Sequence, residues 1–331
     1  MIKKCHHYVP KAYLKFFCAE DGKLHIYLKD DPGRSFRQVP DATAFHKHYY
    51  SQPLPEGGTN HDALEDFFSA IETKWPPLVE RIQRRENVND ALDDIFQFVS
   101  LQRARVPAMR DAAERMAAAT LMATLLQLES TGKLPPKPPG HPDILDHVEF
   151  TIDPHHSIHS MPQLVRAMGM VLDRIGLSVL HNETDITFIT SDNPVVYFDP
   201  RSSEDKLLPY TIDRHGGPVV FLFPIAPRLM LYGDSSLRDG FLRDGLRHGD
   251  IEKQELVELM NRQTSRFAYR TVFADRAGFE ALVRQYAHES PIVNTTSLRH
   301  GTGTLVAHQA VFGKREPKPK WEGSKAGPKK S

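Results

Sequence analysis

The amino-acid sequence predicts an α+β protein, with long helices packed on a mostly antiparallel sheet and a disordered basic tail at the C-terminus. Three observations lead there. Apolar residues recur at helical spacing through residues 63–75 and 89–128. Short apolar runs of strand character follow at 176–182, 185–191, 194–198, 217–225 and 229–233. The links between those runs are short, which favours antiparallel pairing.

Taken in order, residues 10–17 read as a short helix docked by Tyr13, Leu14, Phe16 and Phe17, with Pro10 compatible with its start. Leu24, Ile26 and Leu28 alternate as a strand that Asp31-Pro32-Gly33 would turn, and part of 45–51 reads as extended. Residues 53–62 read as a loop in which Asn60 or Asp62 caps the next helix. That helix carries Leu64, Phe68, Ile71 and Trp75 on one stripe, and Pro76-Pro77 kinks or restarts it. Pro107 bends or interrupts the long helical stretch, because it removes a backbone donor and crowds the preceding turn. The proline- and glycine-rich segment 131–142 reads as an exposed linker. Beyond it come a helix at 161–175, the strands, and helices at 251–270 and 276–287. We therefore expect one mixed domain over residues 1–313, helix-rich at 59–130, sheet-containing at 143–313, with the tail at 314–331. That tail has seven basic and two acidic residues, the composition of a solvated arm.

Composition narrows the function classes. Hydrophobic residues make up 40% and charged residues 25% of the 331, ordinary for a globular protein with a sizeable core. Lys+Arg and Asp+Glu both number 42, so overall charge recruits neither nucleic acid nor membrane, and only local patches would. No apolar run approaches the roughly 20 residues of a membrane span, and no apolar leader opens the chain. Cys5 and Cys18 lack the spacing of a zinc knuckle and fit a reducing compartment, so the expected location is cytoplasmic.

Candidate site residues lie in three places. His6 and His7 are adjacent, so regular structure sends them in different directions, one to act as ligand or general base and the other to pack. Glu65 and Glu72, seven apart, share a helix face; Gln102 and Arg105 continue a stripe begun by Ile95 and Phe98. The carboxylates are placed to pair with Arg105, or to hold a metal or a histidine. Asp192 and Asn193 follow a strand end at Thr190-Ser191, where they serve either as turn formers or as groups facing a substrate. Ser191 lacks a nucleophile elbow. His155 and His159 have metal-chelating spacing without the accompanying glutamate, which makes them structural or incidental.

These motifs together resemble a bacterial family of unknown function. The matching residues are His7-Tyr8-Val9-Pro10 with Tyr13 to Phe17, then Glu65 and Glu72, then Gln102, Arg105 and Pro107, then Phe188 to Val195, and finally Asn261. The resemblance spans about residues 4–275 and implies a mixed α and β domain with no catalytic residues to transfer. The functional expectation is convergence of His6 or His7, Glu65, Glu72, Gln102, Arg105, Asp192 and Asn193 on a polar cleft. Acid-base groups or a divalent metal ion, with Arg105 on an anion, would suit hydrolysis of phosphodiesters or nucleic acid in a defence or mobile-element setting. Two alternatives stand beside it: a non-enzymatic sensor or binding module for an anionic ligand or protein partner, and a buried network that only stabilises the fold.

Overall fold

The structure, a computed structural model, describes residues 5–54, 56–213, 215–300, 303–319 and 321. Strand β1 (Cys5–His7) leads into helix α1 (Lys11–Leu14), which a 3₁₀ turn prolongs to Phe17. Strands β2 (Leu24–Leu28), β3 (Asp31–Gln38), β4 (Phe45–Lys47), β5 (Gln52–Pro53) and β6 (Thr59–Asn60) follow. Helices α2 (Ala63–Glu72), α3 (Trp75–Gln83), α4 (Leu92–Arg105), α5 (Pro107–Ser130), α6 (Pro154–Ile158) and α7 (Met161–Leu172) form the middle of the chain. Then come β7 (Gly176–Asn182), β8 (Thr190–Ser191), β9 (Val196–Phe198), β10 (Val220–Ala226) and β11 (Leu229–Asp234). The last third holds α8 (Arg238–Asp244), β12 (Arg247–Ile251), α9 (Gln254–Phe267), β13 (Thr271–Ala274), α10 (Glu280–Gln285), β14 (Ser290–His300) and β15 (Gly303–Gly313).

Two larger sheets result. One runs β12-β7-β11-β10-β9, antiparallel except for the parallel pair β12/β7; the other runs β3-β2-β13-β8 and is antiparallel throughout. The fold class is α+β, as the strand and helix patterns imply. A hydrophobic cluster connects the N-terminal segment (Val9, Tyr13), the helices (Trp75, Phe98, Met168) and the first sheet (Leu177, Phe221). Trp75 stacks on Phe98 at 3.9 Å between ring centres, and Tyr13 stacks on Phe223. Burying such a side chain contributes roughly 1.5–3 kcal/mol. The Tyr13 hydroxyl keeps two partners inside this core, Thr190 Oγ1 at 2.6 Å and the Pro224 carbonyl at 2.7 Å.

Several expectations need correction. The turn after β2 falls at Lys29–Asp30, and β3 already begins at Asp31. Register shifts between Tyr27 and Leu28, and Lys29 turns inward to donate to the carbonyls of Ser265, Arg266, Ala268 and Glu289. The loop expected at 53–62 contains the β5/β6 pairing. Asn60 nonetheless caps α2, its Oδ1 accepting from the Asp62 and Ala63 amides. The strand expected at 185–191 shrinks to β8. Asn261 takes the Ile189 N–H and donates to the Thr187 carbonyl, so a side chain uses backbone groups that a ladder would need. At Pro107 the helix does break: Val106 is extended (φ −74°, ψ 152°) between α4 and α5. Residues 131–143 carry neither helix nor strand.

Residues 314–319 open the segment expected as a solvated tail. This stretch has no helix or strand, yet Arg315 pairs with Asp30, and Lys318 pairs with Asp111 and Glu114. Residues 320 and 322–331, with the remainder of that expectation, lie outside the described residues.

Candidate functional site

β1 sends its two histidines to opposite faces. His6 is buried, stacks on Tyr50 and accepts the Tyr50 amide at Nδ1 (2.8 Å). His7 is half-buried, with Nε2 3.3 Å from the Asp41 carbonyl. Burial, then the nearby Lys11 and Arg105, lowers the His7 pKa, leaving the imidazole neutral at pH 7. Arg105, at the end of α4, is fully buried; its guanidinium donates to Glu72 Oε1 (2.5 Å) and to the His7 carbonyl, and lies over the Phe68 ring at 4.8 Å. Burial opposes that charge, but Tyr50 and Glu72 more than compensate and hold it ionised. One turn earlier, Gln102 donates to the Tyr8 carbonyl at 3.1 Å. Glu65 is half-buried on α2, and its charge helps raise the Tyr50 phenol to about 12, after burial itself. So His6, His7, Glu65, Glu72, Gln102 and Arg105 do gather, where the N-terminal strand crosses α2 and α4.

Asp192 and Asn193 follow β8, at the end of the second larger sheet. Asp192 is buried and accepts three backbone N–H groups, from Tyr269 (2.8 Å), Arg270 (2.8 Å) and Thr271 (3.1 Å). Burial pushes its carboxyl up to about 6, with the amides of Tyr269 and Arg270 pulling the other way. Asn193 donates to the Phe267 carbonyl (2.8 Å) and the Tyr210 hydroxyl (2.6 Å). Together with Asn261, these side chains knit the β8 end to the last turn of α9 and the start of β13. Lys29 completes the knot by capping the C-terminal carbonyls of α9, where a cation is favoured.

A shared environment nevertheless touches both groups. Tyr8 presents its ring to His46 (5.2 Å) and Tyr49 (6.1 Å), and its phenol is pushed up by burial first and by the Asp192 carboxylate second. Around it stand His46, Asp111, Tyr269 and Arg270: Tyr269 donates to Asp111 Oδ2 at 2.8 Å, and Arg110, Asp111 and Arg270 all act on the His46 charge. Where β4, α5 and the α9–β13 connection meet, His46 and Arg270 are exposed, Tyr8 and Asp111 half-buried and Tyr269 buried.

A family profile described as "Protein of unknown function (DUF4238)" matches residues 5–278. The chain belongs to the DUF4238 family. No curated protein and no solved structure matches it. The DUF4238 match ends before β14, so the β14/β15 hairpin and the segment after it lie beyond the matched residues.

Within this DUF4238 chain the described residues contain no group of three or more His, Cys, Asp or Glu placed to hold a metal ion. His155 bonds the Ser51 carbonyl through Nδ1 (2.6 Å), while the His156 and His159 rings meet edge-on at 5.9 Å. Among the described residues, no helix is long and apolar enough to cross a membrane. A groove of about 590 Å³ opens beside Glu72, lined by Lys11, Lys15, Phe16, Ser69 and Thr73. The residues that sequence reasoning passed over are Tyr8, His46, Asp111, Tyr269 and Arg270. Tyr8 was within reach, since it sits inside the H-Y-V-P motif. The other four carry no local pattern and meet only through tertiary contacts.

Proposed function

We propose that this DUF4238 chain is a non-enzymatic binding module for a protein partner, working in the cytoplasm, with the partner seated beside Tyr8, His46, Asp111, Tyr269 and Arg270. One observation carries the reading. The acid and the guanidinium of the family-like motifs are already engaged: Asp192 by three backbone amides, Arg105 by Glu72 and the His7 carbonyl. Groups so committed hold a scaffold and would have to surrender strong charge-assisted bonds to act on a substrate. At the Tyr8 face, Arg270 is 58% exposed in an ion pair with a 50% exposed Asp30, and His46 is exposed, so both stay within reach of a partner. Cys5 and Cys18 are both free thiols, which suits a reducing compartment.

A second reading, hydrolysis of a phosphodiester, a small anionic substrate or nucleic acid, has its own support. His7 is neutral, and the Glu72–Arg105 pair and the groove with Lys11 and Lys15 are close by. Such an imidazole is the proton acceptor a general-base step needs. Turnover decides between the two. Wild type, assayed against DNA, RNA and a chromogenic phosphodiester with and without Mg²⁺ or Mn²⁺, is expected to match buffer. A rate that disappears in His7→Ala with the melting curve unchanged would establish the hydrolase instead.

A further inference from the structure

We propose that the groove between α5 and the Asp30–Tyr269 corner is a receptor for an extended basic segment of pattern Arg-acidic-Pro-Lys-Pro, and that residues 315–319 of this chain occupy it in cis. The proposal rests on the binding-module reading and names the chemistry of its partner.

Each charged side chain of the segment meets a group of opposite sign. Arg315 pairs with Asp30 and lies over the Tyr269 ring at 5.1 Å, a cation–π geometry. Glu316 receives Arg115 at both its carboxylate (3.2 Å) and its carbonyl (3.1 Å). Lys318 reaches Asp111 (3.2 Å) and Glu114. The receptor therefore reads acid, base, acid along its length, and a slip of the segment by one residue would set like charges together. Pro317 and Pro319 flank the Lys318 contacts, and proline favours an extended backbone without asking for ladder partners. On the α5 side, Asp111, Glu114, Arg115, Ala118 and Met122 follow helical spacing along a single face.

Glu114 points independently to a ligand. It is 5% exposed, it lines a cavity of about 390 Å³ beside the segment, and its Oε1 has no hydrogen-bond partner. A buried carboxylate oxygen calls for a donor, and a single ammonium leaves it wanting one. A guanidinium at the Lys318 position would offer two donors in a planar fork. The pairs that hold the segment are partly exposed, with 40% for Lys318 and 76% for Glu316, so salt screens them and the segment can give way to a competitor.

The test uses a fluorescent peptide, GKREPKPKW, and full-length protein whose own segment is displaced by Arg315→Glu with Lys318→Glu; Arg315→Ala with Lys318→Ala serves as a second opened variant. Binding is read by anisotropy, with melting curves to confirm folding. The opened variants are expected to bind at least about tenfold more tightly than wild type, since a cis occupant reduces the competent fraction. Adding Asp111→Asn and Glu114→Gln is expected to abolish binding, and a peptide with Arg in place of the Pro-flanked Lys to bind more tightly than the original. Equal affinity for wild type and opened variants would overturn cis occupancy. Absence of binding to a folded opened variant, or equal binding of a scrambled peptide, would overturn the receptor. None of these outcomes depends on turnover, so the binding-module reading is judged separately by the phosphodiesterase assay.

Discussion

Asp192 and Lys29 are two of the buried charges that the fold must accommodate. Three backbone amides converge on Asp192. An amide side chain there would offer one acceptor oxygen and turn its own N–H groups towards donors. Asp192→Asn is therefore expected to lower stability by about 2–4 kcal/mol in urea denaturation. A variant with an unchanged midpoint would remove the scaffold role assigned to this residue. The sign of its pH effect follows from the raised carboxyl. The stabilisation is complete below the ordinary carboxylate range and is lost as pH climbs to about 6, and in Asp192→Asn that slope should vanish. Lys29 moves the other way. Burial pulls its ammonium down to about 7, so the folded chain releases a proton that the unfolded chain retains, and its contribution improves as pH rises above 7. Lys29→Met strands the carbonyls of Ser265, Arg266, Ala268 and Glu289, and should cost about 2–4 kcal/mol by the same measurement.

Among the elements, β1 and α4 are joined through Arg105. Its guanidinium holds Glu72 and the His7 carbonyl at once, and its own carbonyl accepts from the Tyr50 hydroxyl (3.1 Å). A lysine lacks the fork to serve both acceptors. Arg105→Lys should release β1, cost about 2 kcal/mol, and speed amide exchange at Tyr8 well before global unfolding. Elements defined by their own residues were legible beforehand: the α2 stripe, the restart at Pro76-Pro77, the break at Pro107 and the strands of 176–182 and 217–233. Those that depend on distant partners were not. The run at 185–191 looks like a full strand until Asn261, from another element, claims its backbone. β12 carries only one buried apolar residue, Ile251, and exists because β7 offers it an edge. For the same reason Asp192 could be read as a turn residue, but the amides of 269–271 that employ it could not be foreseen from the turn. Glu72 and Arg105 were readable as a pair, since both lie on strongly periodic helices.

Over the whole molecule, one histidine pair ties three parts together. His181 on β7 shares a 2.8 Å hydrogen bond with His248 on β12, and His248 reaches the Glu86 carbonyl just after α3. Burial, followed by Arg85 and His248, lowers the His181 pKa. A depressed histidine stabilises the fold above its ordinary value and loses that support as pH falls through the lowered one. Wild type should accordingly weaken on acidification below about pH 6.5, and His248→Asn should flatten that part of the stability–pH curve measured by denaturation. The order β3-β2-β13-β8 bears on biosynthesis as well. β2 and β3 leave the ribosome early, but the neighbour that closes the apolar side of β2 is β13, at Thr271–Ala274. At about 5–20 residues per second, the nascent hairpin must wait many seconds with an unpaired edge, open to pairing with another chain until β13 arrives.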